Sequence, residues 1–190
     1  MRKAIVSLLL IFLLASLAVY SISFVLPDLA KEFGSGAYFA VPVSWIGGAI
    51  GGVILSFLAD AWSRRSALLL SIVLFAVPLF LNLDVKSIVE LYVIWFLIGF
   101  GVNGENGVSY VYAAELSPPR MRGLVGSIMQ GLYFLGSLMG LLTSYLLRGL
   151  FSYFLAVSII ALLSVPFWTM IPESRFKSTG RPSECGQQFC

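Results

Sequence analysis

Long apolar runs separated by short polar clusters set the pattern of this chain. Six runs reach the roughly 20 mostly apolar residues that a membrane-crossing helix needs. They fall at 4–26, 41–59, 67–83, 88–114, 124–147 and 150–171. The first is expected to stop at Pro27-Asp28 and the second at Asp60; the fourth carries Glu90 near its start and one acid deep inside it, Glu105. The connections are short, so neighbouring helices should run antiparallel. Arg2-Lys3 ahead of an apolar run resembles a secretory signal. That run exceeds the roughly 7–15 residues of a signal's apolar region, and five more spans follow, so it reads as the first span.

Composition narrows the class. Of 190 residues, 59% are hydrophobic and 11% charged, with no histidine; a soluble domain carries about 25% charged residues. These values exclude an ordinary soluble protein and a disordered one. They exclude catalysis on a histidine base and zinc sites that use histidine. No nucleophile–base pair or metal cluster suggests an enzyme, and no cofactor or metal is expected. Cys185 and Cys190 lie in a polar tail, spaced C-x4-C, a weak metal signal; they read as reduced thiols.

Charge orients the chain. With the N-terminus in the cytoplasm, the inner side holds nine basic residues: Arg2, Lys3, Arg64, Arg65, Arg120, Arg122, Arg175, Lys177 and Arg181. The outer side holds three: Lys31, Lys86 and Arg148. The positive-inside rule then places both termini in the cytoplasm of a multi-pass protein, expected in the plasma membrane. The net charge of +3 implies contact with anionic lipid head groups, not nucleic acid.

Small residues are spaced for close helix contact. Gly47/Gly51, Gly48/Gly52 and Gly136/Gly140 form G-x-x-x-G pairs, and Ser56 continues the row of Gly52. Such residues let backbones approach where lipid gives no hydrophobic drive. Gly99, Gly101 and Gly104 spell G-x-G-x-x-G. The dinucleotide reading needs a preceding strand, and here the glycines sit inside a predicted membrane helix.

Two acids stand where the helix macrodipole disfavours them. Asp60 ends the second span and Glu115 the fourth, both at C-termini, and each is followed by two arginines, Arg64-Arg65 and Arg120/Arg122. They form either an ion-pair cluster joining two loops or solvated charges worth under about 1 kcal/mol.

The segment from Ser56 to Arg65, Ser-Phe-Leu-Ala-Asp-Ala-Trp-Ser-Arg-Arg, resembles the loop between the second and third spans of the major facilitator superfamily, roughly G-x-L-a-D-r-x-G-R-R. Ser56 and Ser63 stand for its glycines and Ala61 for its first basic residue. The segment Ala114–Gly123 resembles the fourth-to-fifth-span loop of sugar porters and metabolite:proton symporters. Pro172-Glu173-Ser174-Arg175 resembles their P-E-S-P-R after the sixth span, with one proline missing. The resemblance implies a cytoplasmic gate of Asp60, Arg64 and Arg65, with Glu115 as their partner and Arg120 and Arg122 nearby.

Glu105 is the one ionisable group deep in a span. An intramembrane acid costs roughly 2.5–3.5 kcal/mol on insertion scales and is a functional candidate by default. Asn103 and Asn106 flank it, and Ser109 and Tyr112 follow at i+4 and i+7. It could carry a proton, or be a buried acid satisfied by neighbouring amides and hydroxyls. Gly104-Glu105 resembles the G-G-E of metabolite:proton symporters. Ser127, Gln130, Tyr133, Ser137 and Ser144 share a face of the fifth span, and Ser16, Tyr20 and Ser23 a face of the first. These stripes either line a polar path or bond to their own helix carbonyls. In sugar porters a glutamine seven residues after the loop glycine binds the sugar. Gly123 and Gln130 reproduce that spacing and Gly136 fits the following glycine, while Ser137 replaces the family's next glutamine. An arginine common early in the family's fourth span is replaced by Trp95. The first span also lacks the acid that some proton-coupled relatives use, so proton coupling would rest on Glu105 alone, with uniport as the alternative.

The expected fold is an all-α integral membrane bundle of six transmembrane helices, residues 1–176, with a polar cytoplasmic tail, 177–190. It is half of a major facilitator fold, made of two inverted three-helix repeats. The expected function is alternating-access transport of a small organic solute, a sugar or an organic acid, with or without a proton. Its site would be Glu105, Asn103, Asn106, Gln130, Tyr133 and Tyr20. The expected partners are the bilayer, the solute, and a second six-helix half or a homodimer. The alternative is a truncated half that keeps the fold without transporting.

Overall fold

The computed structural model describes residues 2–147 and 149–172. Every regular element among them is helical, as the bilayer demands: backbone groups there must be bonded within their own segment. The helices are α1 Arg2–Phe33, α2 Ala40–Ala61, α3 Arg64–Leu81, α4 Ile88–Leu116, α5 Arg122–Leu146, α6 Leu150–Leu162 and α7 Ser164–Thr169. They make six spans long and apolar enough to cross a membrane.

Most span ends fall within three residues of expectation; two larger differences occur, both at prolines. α1 does not stop at Pro27-Asp28 but runs on to Phe33. A proline inside a membrane helix is tolerated when packing holds the flanking turns, and Leu29 beyond it is buried in the core. The sixth span is broken between α6 and α7. The Pro166 ring has no N–H for the Leu162 carbonyl and collides with it, so the chain turns at Leu163 and restarts.

Helix starts are satisfied locally. Ser87 and Glu90 form a reciprocal capping box at α4, satisfying orphan N–H groups. Ser63, in place of the family's loop glycine, caps α3 by accepting from the Ser66 N–H at 3.1 Å.

Glycine decides how the spans meet. α2 and α4 run parallel, and a Cβ on Gly47 or Gly51 would collide with the carbonyls of Phe96 or Phe100. On α4, Gly99 faces the Ser44 backbone and Gly104 faces Leu55, while Gly101 would meet Phe75 N on α3 at 2.7 Å. The three glycines of the G-x-G-x-x-G string thus press α4 against two neighbours. Gly136 and Gly140 likewise bring α5 against α1 at Leu13, Ser16 and Phe24. α1 is the central helix: 72% of its most apolar window is buried, against 28% for the second and fifth spans.

Gly51→Ala should destabilise the bundle by about 1–3 kcal/mol, the usual cost of overpacking. Gly126 has nothing within 4 Å of an added Cβ, so Gly126→Ala should be neutral or stabilise by up to about 1 kcal/mol, the helix propensity gain. Thermal unfolding of the detergent-solubilised protein separates the two; equal midpoints for both variants would contradict the close α2–α4 contact.

Candidate functional site

Glu105 sits on the inner side of α4 with no solvent exposure. One turn on, Ser109 donates its hydroxyl hydrogen to Glu105 Oε1. Glu105 Oε2 and the neighbouring Asn106 Oδ1 are buried with no hydrogen-bond partner among the described residues. Two buried acceptors without partners are costly.

Aromatic and amide groups from three other helices gather beside it. The Tyr133 hydroxyl of α5 interacts with Asn106 and with Tyr20 of α1, and both Tyr133 and Tyr110 lie within electrostatic range of the Glu105 carboxyl. The Tyr110 hydroxyl donates to Gln130 Oε1 at 2.8 Å. The Phe12 ring lies between those of Tyr110 and Tyr133, at centroid distances of 5.2 and 5.5 Å. Tyr20 packs against Tyr133 at 5.5 Å and reaches Trp45 of α2 at 6.5 Å. The group is open on one side: Gln130 is exposed, Tyr20 and Tyr133 are half-buried, and Trp45 is 46% exposed.

Of the expected site residues, the structure joins Glu105, Asn106, Gln130, Tyr133 and Tyr20. Asn103 lies elsewhere: it donates to its own helix at Gly99 O, 3.2 Å, and packs over Gly48 of α2. Two positions along a helix is about 200° of rotation, which turns Asn103 away from Glu105. Phe12, Trp45 and Tyr110 were not foreseen. Tyr110 could have been found at i+4 from Asn106, but Phe12 and Trp45 carry no sequence signal beyond their apolar runs. Several stripe hydroxyls bond to their own helix: Ser16 to Leu13 O, Ser127 to Gly123 O and Ser144 to Leu141 O. Trp95, at the place of the family's arginine, is fully buried and donates its indole N–H to Asn82 Oδ1 at 3.2 Å.

A second cluster closes the end of the bundle where α2 and α4 terminate. Because these helices are parallel, their C-termini bring Asp60 and Glu115 to the same end. Arg64, the first residue of α3, bridges them, 3.3 Å from Asp60 Oδ1 and 2.8 Å from Glu115 Oε1. The Arg64 and Glu115 side chains are 16% and 21% exposed, while Asp60 is 69% exposed. Arg64–Glu115 is therefore the stronger link; exposed pairs contribute little. Arg65 turns away: its guanidinium lies 4.6 Å from the Trp168 ring centroid, and its carbonyl accepts from Trp168 Nε1 at 2.9 Å. The Tyr112 hydroxyl donates to Pro172 O, so α3 and α4 together hold the end of the sixth span. Arg120 and Arg122 are exposed and make no ion pair among the described residues. Arg148, the Glu173-Ser174-Arg175 stretch and the tail with Cys185 and Cys190 lie outside the described residues.

Comparison with known proteins agrees with this architecture. The solved proton:xylose symporter XylE, bound to 6-bromo-6-deoxy-D-glucose, superposes with a TM-score of 0.80 at 23% identity, over 91% of this chain and 45% of that one. The inward-open xylose transporter XylE from E. coli gives a TM-score of 0.79 at 22% identity, over 90% and 47%. A low-affinity glucose transporter of Kluyveromyces lactis is 29% identical over 53% of this chain and 18% of its own length. An arabinose-proton symporter of Bacillus subtilis is 31% identical over 48% and 20%. The chain thus spans under half of the solved symporters and about a fifth of these curated relatives. It is an integral, multi-pass membrane protein of sugar-porter-like architecture. The model of the Major Facilitator Superfamily matches residues 8–186, and with the six-helix half and its loop charges in place, the chain belongs to the Major Facilitator Superfamily.

Proposed function

We propose that the chain forms one six-helix wall of a transporter that moves a neutral monosaccharide by alternating access, with Glu105 carrying the coupled proton. The observation behind this reading is the buried Glu105 carboxyl beside an open face of aromatic and amide side chains. Gln130 and Asn106 offer both donors and acceptors to sugar hydroxyls, and Tyr20, Tyr133 and Trp45 offer flat surfaces to its C–H faces.

Charge favours one of the two solute classes that the sequence allows. Every described lysine and arginine lies at a helix end or in a loop. An organic acid's carboxylate would therefore meet Glu105 with no cation among the described residues of this wall to compensate, and an uncompensated buried charge is strongly unfavourable. A sugar carries no such penalty. The glucose and arabinose carried by the named relatives support the same choice.

Protonation would set the cycle. A neutral Glu105 is tolerated in a dry interior, and the charged form is stable only when water reaches it. The carboxyl would load from one side of the membrane and release to the other. A closed path needs a second six-helix half or a second copy opposite the Tyr20/Gln130/Tyr133 face, because such sites lie between two units that rock against each other. The Asp60–Arg64–Glu115 cluster would be the gate, on the cytoplasmic side by the basic-residue count, in the plasma membrane.

In proteoliposomes that hold the full chain, Glu105→Gln should abolish proton-driven accumulation of labelled D-glucose or D-xylose and flatten its pH dependence, while sugar counterflow persists. Loss of both would make Glu105 a structural or sugar-binding group; unchanged accumulation would remove it from the mechanism.

The gate residues should rank by burial. Glu115→Gln should change the transport rate about fivefold or more, since breaking a desolvated pair costs several kcal/mol. Asp60→Asn should change it less than about fivefold, as for an exposed pair. Sugar binding should survive both changes. The reverse order of rates would contradict the assignment of Glu115 as the main latch.

A further inference from the structure

A cavity of about 180 Å³ lies at the opposite end of the bundle from Arg64. It is formed by the end of α1, the α3–α4 connection and the starts of α4 and α6, and shares no residue with the Glu105 face. Its walls include three aromatic rings, Phe33, Phe151 and Phe154, and two polar side chains, Glu32 and Asn82.

The polar pair has a definite chemistry. Asn82 is 6% exposed, and its Oδ1 accepts from Trp95 Nε1. An indole N–H can only donate, so this bond fixes which way the amide points. Asn82 Nδ2 is left as a buried donor with no partner among the described residues, and an unmatched buried donor is costly unless something accepts from it. Glu32, exposed at the rim, supplies negative charge one residue before the C-terminus of α1, and α3 ends at Leu81, next in sequence to the lining residue Asn82; helix C-termini add to a negative potential. Glu32 makes no ion pair among the described residues; Lys31 pairs with Asp28 at 2.6 Å and Lys86 with Asp84 at 3.1 Å. A carboxylate and aromatic rings lining one cavity favour an organic cation, and the Asn82 donor asks for an oxygen.

The geometry points to a binding site for a small organic ammonium ion that bears an oxygen acceptor, of the amino-alcohol class: the cation sits at Glu32 beside the aromatic rings and the oxygen accepts from Asn82 Nδ2. Size agrees, since an apolar cavity of about 150 Å³ holds a benzene molecule. The same group occurs as a free solute and as a lipid head group.

Equilibrium dialysis of tritiated choline chloride against the purified full chain in detergent tests the site. Binding should be saturable. Glu32→Gln should weaken it about tenfold or more, as for the loss of a charged partner. Leu150→Trp, which fills the cavity from α6, should abolish it, with circular dichroism and elution profile unchanged. Tetramethylammonium, which lacks the oxygen, should compete about fivefold or more less well. Absence of saturable binding, or full binding in both variants, would overturn the site, and equal competition by tetramethylammonium would overturn the role of Asn82. Nanodiscs separate the sources. Choline binding blocked in phosphatidylcholine discs but kept in phosphatidylglycerol discs assigns a lipid head group, and equal binding in both assigns a free solute.

Discussion

The close approach of α2 to α4 is the contact on which the rest of this bundle depends. Lipid tails are as apolar as leucine, so burial does not drive spans together; van der Waals contact over a tight seam must do it. Gly47, Gly51, Gly99 and Gly104 remove the side chains that would hold the two backbones apart. The seam sets α4 deep in the bundle, with Gly101 against α3 on its other side, and so takes Glu105 fully out of solvent. It also makes α2 and α4 parallel neighbours, which brings their C-termini together.

The same seam therefore creates two electrostatic problems that are met in opposite ways. At the helix ends, Asp60 and Glu115 add charge to two negative macrodipole ends, and Arg64 offsets both from the first turn of α3. Midway along α4, Glu105 has only the Ser109 hydroxyl, with its second oxygen unpartnered among the described residues. The cluster is charge-compensated, though Glu115 Oε2 is also buried without a hydrogen-bond partner among the described residues, and it resists change until its ion pairs move apart. An unsatisfied carboxyl responds to whatever proton, water or solute reaches it. That division suits a gate at one level and a coupling group at the other.

The spans are also covered unequally. α1 is packed on nearly all sides, while the second and fifth spans are mostly uncovered and expose Trp45, Phe57, Phe134 and Leu138 among others. Gln130 and Tyr133 lie on the open side. Their surroundings in these helices alone form a wall of a site rather than an enclosed pocket, consistent with a chain that spans under half of the solved symporters it resembles.

How much was legible beforehand follows from what each signal rests on. The six spans, the helical class and the ranking of Glu105 as the outstanding interior group were readable from the sequence, because hydropathy and the cost of an intramembrane charge are local properties of a segment. The glycine pairs were readable as packing surfaces, though not which helix each would meet. Helical spacing put Ser109 on the Glu105 face, while Asn103, which flanks Glu105 in sequence, bonds to Gly99 O and packs over Gly48, since adjacency in sequence is not adjacency around a helix. Arg65 looked equivalent to Arg64 until Trp168, more than a hundred positions away, took its guanidinium. The stop expected at Pro27 and the unbroken sixth span were overruled by the packing beyond Pro27 and by the Pro166–Leu162 clash. Sequence determined which residues had to be inside the membrane and which could bear charge. Only the tertiary structure decided which of them share a site, because that depends on the rotation and register of helices pressed together at their glycines.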